Sequence, residues 1–136
     1  MRLHQLTWIY VGALVVIVIS ADRGWFSPLF KFIDSVPFGD KAGHFLLIGF
    51  LAFLVNLSFG SAKIRVGRIQ VFKGNLYVMI PVVLEEISQI AFPRRTFDLV
   101  DLAADALGVL VFGRLARVTM TLLASRSRSG RELEAE

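Results

Sequence analysis

The sequence has no cysteine, two histidines and few charged residues. Of its 136 residues, 19% are charged and 55% are hydrophobic, and the mean hydropathy is +0.65. Without cysteine, the chain can form neither a disulfide framework nor a thiolate metal site. Because one small core cannot hide so many apolar side chains, the composition also excludes an ordinary soluble enzyme of this size.

Charged residues are absent from two long stretches. Residues 3–21 and 42–62 contain no Asp, Glu, Lys or Arg, and at about 1.5 Å per helical residue each can cross the roughly 30 Å hydrocarbon layer of a bilayer. Two later apolar stretches are long enough to span but carry charged residues, which must face partners or water. The sequence thus predicts an all-α integral membrane bundle of four transmembrane helices. These helices are expected at about residues 5–21, 42–60, 75–92 and 100–121.

The first apolar stretch has an alternative interpretation as a signal peptide, because Arg2 precedes it and the small residues Ser20 and Ala21 end it. Its apolar part is longer than that of a signal peptide, so a membrane anchor is favoured. We therefore assign residues 1–124 to a single transmembrane domain and the polar residues 125–136 to a disordered cytoplasmic tail.

An amphipathic pattern lies between the first two helices. Trp25, Leu29, Phe32 and Val36 follow the spacing i, i+4, i+7 and i+11, which predicts an amphipathic helix in the membrane interface. This helix could cover polar groups of the bundle, or its aromatic residues could simply belong to the interfacial belt.

The net charge of +4 comes from one connecting segment. Residues 61–74 contain four basic residues and no acidic one, whereas the other charges of the chain cancel. The positive-inside rule places this segment in the cytoplasm, and with it both termini. The segment could also bind nucleic acid or anionic lipid, but a role in setting topology is the simpler interpretation. No nucleic-acid partner is predicted.

With this orientation, the unusual polar residues fall near the outward ends of the last three transmembrane helices. Residues three, four or seven apart share one helix face, and the polar stripes so formed are Asp40 with His44, Glu85 or Glu86 with Gln89, and Asp98 with Asp101 and Asp105. A central charge in lipid costs about 2.5 to 3.5 kcal/mol, so the stripes should face one another inside the bundle. Arg94 and Arg95 are the natural counter-ions. Adjacent glutamates lie about 100° apart, and the spacing does not decide which of the two faces the cluster.

Two segments resemble the signatures of a known family. PFGDKAGHFLLIGFLAFL (37–54) and EEISQIAFPRRTFDLVDLAADALG (85–108) are similar to the VanZ-like family of small bacterial membrane proteins. Its pattern is Asp-Lys-x-x-His, then Glu-x-x-Gln, then Arg followed by Asp-x-x-x-Asn-x-x-Gly. The resemblance covers roughly residues 37–113 and singles out Asp40, Lys41, His44, Glu86, Gln89, Arg95, Asp101 and Gly108. The chain departs from the pattern at Asp105, where the family more often has Asn.

The resemblance implies a multi-pass protein of the bacterial inner membrane with a role in the cell envelope. The founding member of the family is linked to low-level resistance to the glycopeptide teicoplanin, and the family's biochemical activity is not established. The expected partners are membrane lipids, together with a lipid-linked envelope precursor or other membrane subunits.

The polar stripes suggest two functions. In the first, an outward-facing site binds or processes an envelope lipid or glycan-related ligand, with His44 and Glu86 as acid/base groups and Asp40 setting the protonation of His44. The ligand-binding residues would then be Asp40, Lys41, Gln89, Arg95, Asp98, Asp101 and Asp105. In the second, the same residues form a structural ion-pair network in an accessory or assembly subunit, without catalysis. No cofactor is predicted, and one suitably placed histidine without cysteine does not favour a metal site.

Overall fold

The computed structural model describes residues 2–25, 27–91 and 97–133, and there the chain forms five α-helices and one β-hairpin. In chain order these are α1 (Leu3–Asp22), α2 (Ser27–Ser35), α3 (Gly39–Ser58), β1 (Lys63–Val66), β2 (Ile69–Phe72), α4 (Lys73–Ser88) and α5 (Leu99–Leu133). A short 3₁₀ turn, Gln89–Ala91, extends α4. The chain is mostly helical, which confirms the all-α prediction.

Two of the described helices, α1 and α3, are long and apolar enough to cross a membrane. Each has 20 residues, and α1 lies near the amino terminus. On α1, Trp8 and Val16 are 73% and 61% exposed, so this helix does not have the burial of a core helix in a soluble protein. Of the other two predicted spans, α4 has only 16 residues, and α5 carries charged residues along its apolar part. The four-helix membrane bundle therefore remains a prediction.

α3 and α5 pack closely along their length. A Cβ atom added at Gly108 of α5 would collide with the carbonyl oxygen of Phe45 and lie 3.2 Å from the backbone nitrogen of Gly49, both on α3. An added Cβ at Gly49 would lie 2.6 Å from the ring of Phe112. The absence of side chains at these two glycines lets the helix backbones approach. The apolar core next to this crossing comes from α3, α4 and α5 and contains Ala52, Val78, Val82 and Val109.

A β-hairpin connects α3 to α4, where the sequence predicted only a basic loop. β1 and β2 pair antiparallel, with Ile64 opposite Val71 and Val66 opposite Ile69. Gly67, at φ +60°, starts the two-residue turn, a position that favours glycine in hairpins. The pairing follows from alternating β-branched residues on both sides of this glycine, a signal that the basic residues between them conceal.

α5 corrects the prediction of a disordered tail from residue 125. The helix continues to Leu133, and residues 134–136 lie outside the described part of the chain. Extending an existing helix costs little, because each added residue contributes a further backbone hydrogen bond, and Leu, Ala and Arg near its end are good helix formers. The polar composition of this segment therefore did not prevent helix formation.

Candidate functional site

Charged and amide side chains gather where the start of α3 meets the end of α4 and the start of α5. We call this group the polar cluster; it comprises Asp40, Lys41, His44, Glu85, Glu86, Gln89, Asp98, Asp101 and Asp105. The helix stripes predicted from spacing thus meet in space. The remaining predicted ligand-binding residue, Arg95, and its neighbour Arg94 lie outside the described residues.

Lys41 is bound by three carboxylates. Its Nζ lies 2.6 Å from Asp101 Oδ1, 2.7 Å from Asp98 Oδ2 and 3.0 Å from Asp40 Oδ2. Asp101 is buried, whereas Asp40 and Asp98 are partly exposed. Lys41 therefore supplies a positive charge that holds the start of α5 against α3.

His44 is oriented by Asp105 rather than by Asp40. Its Nδ1 lies 3.2 Å from both carboxylate oxygens of the buried Asp105, and because a carboxylate only accepts, Nδ1 carries the donated proton. Nε2 faces Asp40 Oδ1 at 3.8 Å and Asp101 Oδ2 at 3.9 Å. The expectation that Asp40, one turn along the same helix, controls His44 is thus corrected. A buried carboxylate on one ring nitrogen leaves the other free to exchange a proton or to bind a ligand.

Glu86 is the glutamate that faces the interior. It is 1% exposed, its Oε1 accepts a hydrogen bond from the backbone N–H of Asp98 at 2.7 Å, and its Oε2 accepts one from Gln89 Nε2 at 3.1 Å. Glu85 also accepts from Gln89 Nε2, at 3.0 Å. Gln89 therefore links both glutamates, and Glu86 holds the end of α4 to the segment that precedes α5.

Asp98 caps α5 as well as binding Lys41. Its Oδ1 accepts the backbone N–H of Val100 at 2.8 Å, which satisfies one of the free donors at a helix start. The hydrogen bond from the Lys41 ammonium, together with this capping bond, holds the pKa of the Asp98 carboxyl below its usual value. Asp98 is therefore an anion at neutral pH, available to an incoming donor at its partly exposed side.

A cleft of about 1120 Å³ opens beside the polar cluster. Its walls are apolar residues of α1, α3 and α4, and its polar end contains Asp40, Lys41, His44, Glu85, Gln89, Asp98, Asp101 and Asp105. α2 also lines the cleft, through Phe30, Lys31 and Ile33. The cavity is thus a long apolar space with charged and hydrogen-bonding groups at one end.

Asp40, His44 and Asp101 are the candidate metal ligands within the described residues, with one donor atom from each lying within 4.8 Å of the others. Lys41 Nζ already lies within 3.0 Å of both aspartates. A divalent cation would therefore have to displace an ammonium that neutralises the same oxygens. The donor set fits a lysine-centred ion cluster better than a metal centre.

A buried amide pair near the other end of the bundle was not anticipated from the sequence. Asn56 Nδ2 donates to Asn75 Oδ1 at 2.7 Å and to the carbonyl of Ala52 at 2.8 Å, and both asparagines are buried. Gly74 and Gly113 leave the space that the two amides occupy. The available signal was one asparagine inside each of two apolar stretches, where an unpaired amide would be costly.

Comparisons of the chain with protein-family models, with curated proteins and with solved structures find no match. The chemistry of the polar cluster and the shape of the cleft are therefore the basis for assigning a function.

Proposed function

We propose that this chain is a VanZ-like multi-pass protein of the bacterial inner membrane that binds an amphiphilic envelope lipid, or a lipid-linked glycan precursor. The ligand's chain would lie in the cleft and its head in the polar cluster. Four helices, α1, α3, α4 and α5, would span the bilayer, with both termini in the cytoplasm and the polar cluster on the outward side. The observation that carries this proposal is the charged cluster at one end of an apolar cleft.

The exposed surface supports the membrane part of this proposal. Large apolar side chains remain exposed on all four helices, as expected where lipid rather than water surrounds them. On α2, Leu29 and Phe32 are exposed while Lys31 faces the cleft. This arrangement suits an amphipathic helix that lies in the outer interface with its apolar side in lipid.

The length of the cleft suits one lipid leaflet. Along α3 the lining runs from Asp40 to Val55, and its apolar part, from His44 to Val55, is about 16 Å long at about 1.5 Å per residue. Half of a hydrocarbon layer of roughly 30 Å has nearly the same length. A lipid could therefore enter sideways from the outer leaflet and place its head group at the level of the polar cluster.

The polar end has the groups needed to recognise a head group rich in hydroxyls or amines. Asp40 and Asp98 are partly exposed acceptors, and carboxylates form strong hydrogen bonds with such donors. His44 lines the cleft with its Nε2 next to Asp40 and Asp101. If the ligand is processed as well as bound, His44 is the residue placed for proton transfer, with Glu86 behind it.

Filling the cleft tests ligand binding without altering the polar cluster. An added Cβ at Gly43, which lines the cleft, meets no atom within 4 Å, so Gly43→Leu should fold normally. We expect it to reduce the co-purifying lipid about tenfold, equivalent to about 1.4 kcal/mol of binding, measured by native mass spectrometry of the detergent-solubilised protein.

Gly12→Leu is the matched control for this experiment. Gly12 lies on α1 with equally open space around it, but it does not line the cleft. Both variants gain the same helix propensity, so only the cleft distinguishes them. Equal lipid occupancy in Gly43→Leu, Gly12→Leu and the unaltered protein would refute binding in the cleft. The same pair should differ in glycopeptide susceptibility if the ligand belongs to the envelope pathway that such antibiotics affect.

Reporter fusions test the proposed orientation. A fusion at Gly67, in the basic hairpin, should report a cytoplasmic location, and a fusion at Arg94 should report the exterior. The physical reason is that the segment 61–74 contains four basic residues and no acid, and such segments are retained in the cytoplasm. The opposite pattern would place the polar cluster on the cytoplasmic side and would exclude an outward-facing site.

A second candidate function, an accessory subunit with a purely structural cluster, is favoured by one observation. Lys41 and His44 of α3 both bind carboxylates of α5, so the cluster joins two helices whether or not a ligand is present. In that case Gly43→Leu should leave both lipid content and cellular function unchanged, and a partner membrane protein should co-purify instead.

A further inference from the structure

The β-hairpin at the end of the molecule opposite the polar cluster has one apolar face. Because residues paired across antiparallel strands lie on the same side, the pairs Ile64–Val71 and Val66–Ile69 form this face. Near the turn, Val66 and Ile69 are 46% and 63% exposed. We call residues 66–69 the hairpin tip.

Contacts at the base of the hairpin hold it to the helices. The ring of Phe72 lies 5.4 Å from Lys63 Nζ and 6.0 Å from the guanidinium carbon of Arg117 on α5. At its base, the backbone N–H of Lys73 donates to the carbonyl of Ala62 at 2.8 Å. The base of the hairpin is therefore anchored to the helices, whereas Val66 and Ile69 at the tip remain exposed.

The charge of the hairpin indicates what covers the tip. The segment 61–74 has four basic residues and no acidic one, and Arg65 and Arg68 lie next to the exposed apolar pair. A two-stranded hairpin is only marginally stable in water without a surface against its apolar face. Apolar side chains surrounded by arginines complement the head groups and upper acyl region of an anionic membrane.

We propose that the hairpin tip inserts into an anionic membrane leaflet, with Val66 and Ile69 below the head groups and with Arg65 and Arg68 bound to lipid phosphates. This goes beyond a topology signal, because it assigns the hairpin a specific lipid partner. It rests on the part of the proposed function that embeds the helices in a bilayer, and it is independent of any ligand in the cleft.

A single introduced cysteine can test this in the full chain, because the sequence has none of its own. Ile69→Cys, labelled with an environment-sensitive fluorophore, is reconstituted in nanodiscs of phosphatidylcholine alone or mixed with phosphatidylglycerol. We expect a blue-shifted emission and quenching by lipid-attached spin labels only when phosphatidylglycerol is present. Gln70→Cys, the exposed neighbour on the other face, should show neither change.

Two further variants make the outcome decisive. Val16→Cys on the exposed side of α1 should be quenched by lipid labels in both membranes, and its failure would contradict the embedded helices rather than the hairpin proposal. Each arginine near an anionic surface raises the equilibrium constant for membrane binding about fivefold. The double variant Arg65→Gln/Arg68→Gln should therefore lower the ratio of inserted to detached tips about 25-fold.

Two results would overturn the proposal while Val16→Cys still reports an embedded helix. In the first, the Ile69 label stays in water in both membranes. In the second, it is shielded in both membranes and is unaffected by the arginine substitutions, which would indicate cover by a second copy of the chain or by neutral lipid.

Discussion

Replacing Lys41 with methionine should lower the free energy of unfolding by about 3 kcal/mol, since removing one partner of a buried ion pair leaves the other charge uncompensated. The loss concerns chiefly Asp101, which is buried 2.6 Å from Lys41 Nζ. The partly exposed Asp40 and Asp98 can regain water and contribute less. Denaturant or thermal unfolding in detergent micelles would measure the effect.

A double variant separates this charge effect from the loss of packing. Lys41→Met/Asp101→Asn removes the uncompensated carboxylate, and it should regain a substantial part of the lost stability. Lys31→Met is the matched control, because Lys31 also lines the cleft but is exposed on α2; its effect should stay within about 0.5 kcal/mol. Equal losses for Lys41→Met and Lys31→Met would mean that the lysine-centred cluster does not stabilise the helix bundle.

Gly108→Val should lower the free energy of unfolding by about 3 kcal/mol or more, because inserting atoms into a close backbone contact forces the helices apart. The new Cβ would meet the carbonyl of Phe45 and the backbone of Gly49. As α3 and α5 separate, Lys41 and His44 should lose their contacts with the carboxylates of α5. Unfolding measurements should therefore show lower stability, and native mass spectrometry should show less bound lipid.

Gly12→Val controls for the change in helix propensity. Gly12 lies on α1 and does not line the cleft, and an added Cβ there meets no atom within 4 Å. Both variants introduce the same β-branched side chain into a helix, so a difference in stability or in bound lipid reports the α3–α5 contact. A Gly108→Val protein as stable as Gly12→Val would show that the two helices do not approach as closely as the structure has them.

Several elements of the fold were predictable from local patterns. Runs without charge predicted α1 and α3, and the periodicity of apolar residues from Trp25 to Val36 predicted α2. The hairpin was not predicted, since its alternating apolar residues are separated by arginines that resemble an ordinary basic loop. The helical end of α5 was also missed, because polar composition alone does not exclude a helix that is already nucleated upstream.

Membership of the polar cluster followed from spacing, but its pairing did not. The i, i+3 and i+4 rule placed Asp40 with His44 and Glu86 with Gln89 on shared faces, and these groups do meet. It suggested Asp40 as the partner of His44, whereas the nearer carboxylate is Asp105 on another helix. Helix spacing did not decide which of the two glutamates faces the cluster, and burial against the backbone N–H of Asp98 selects Glu86.

The sequence by itself determined which residues lie on each helix face, because the α-helical backbone repeats every 3.6 residues regardless of its neighbours. Only the tertiary structure decided which faces meet and at what height. The close contact of Gly108 with Phe45 and Gly49 sets the position at which α3 and α5 cross. That crossing brings Asp101 to Lys41 and Asp105 to His44, and no spacing along a single helix contains this information.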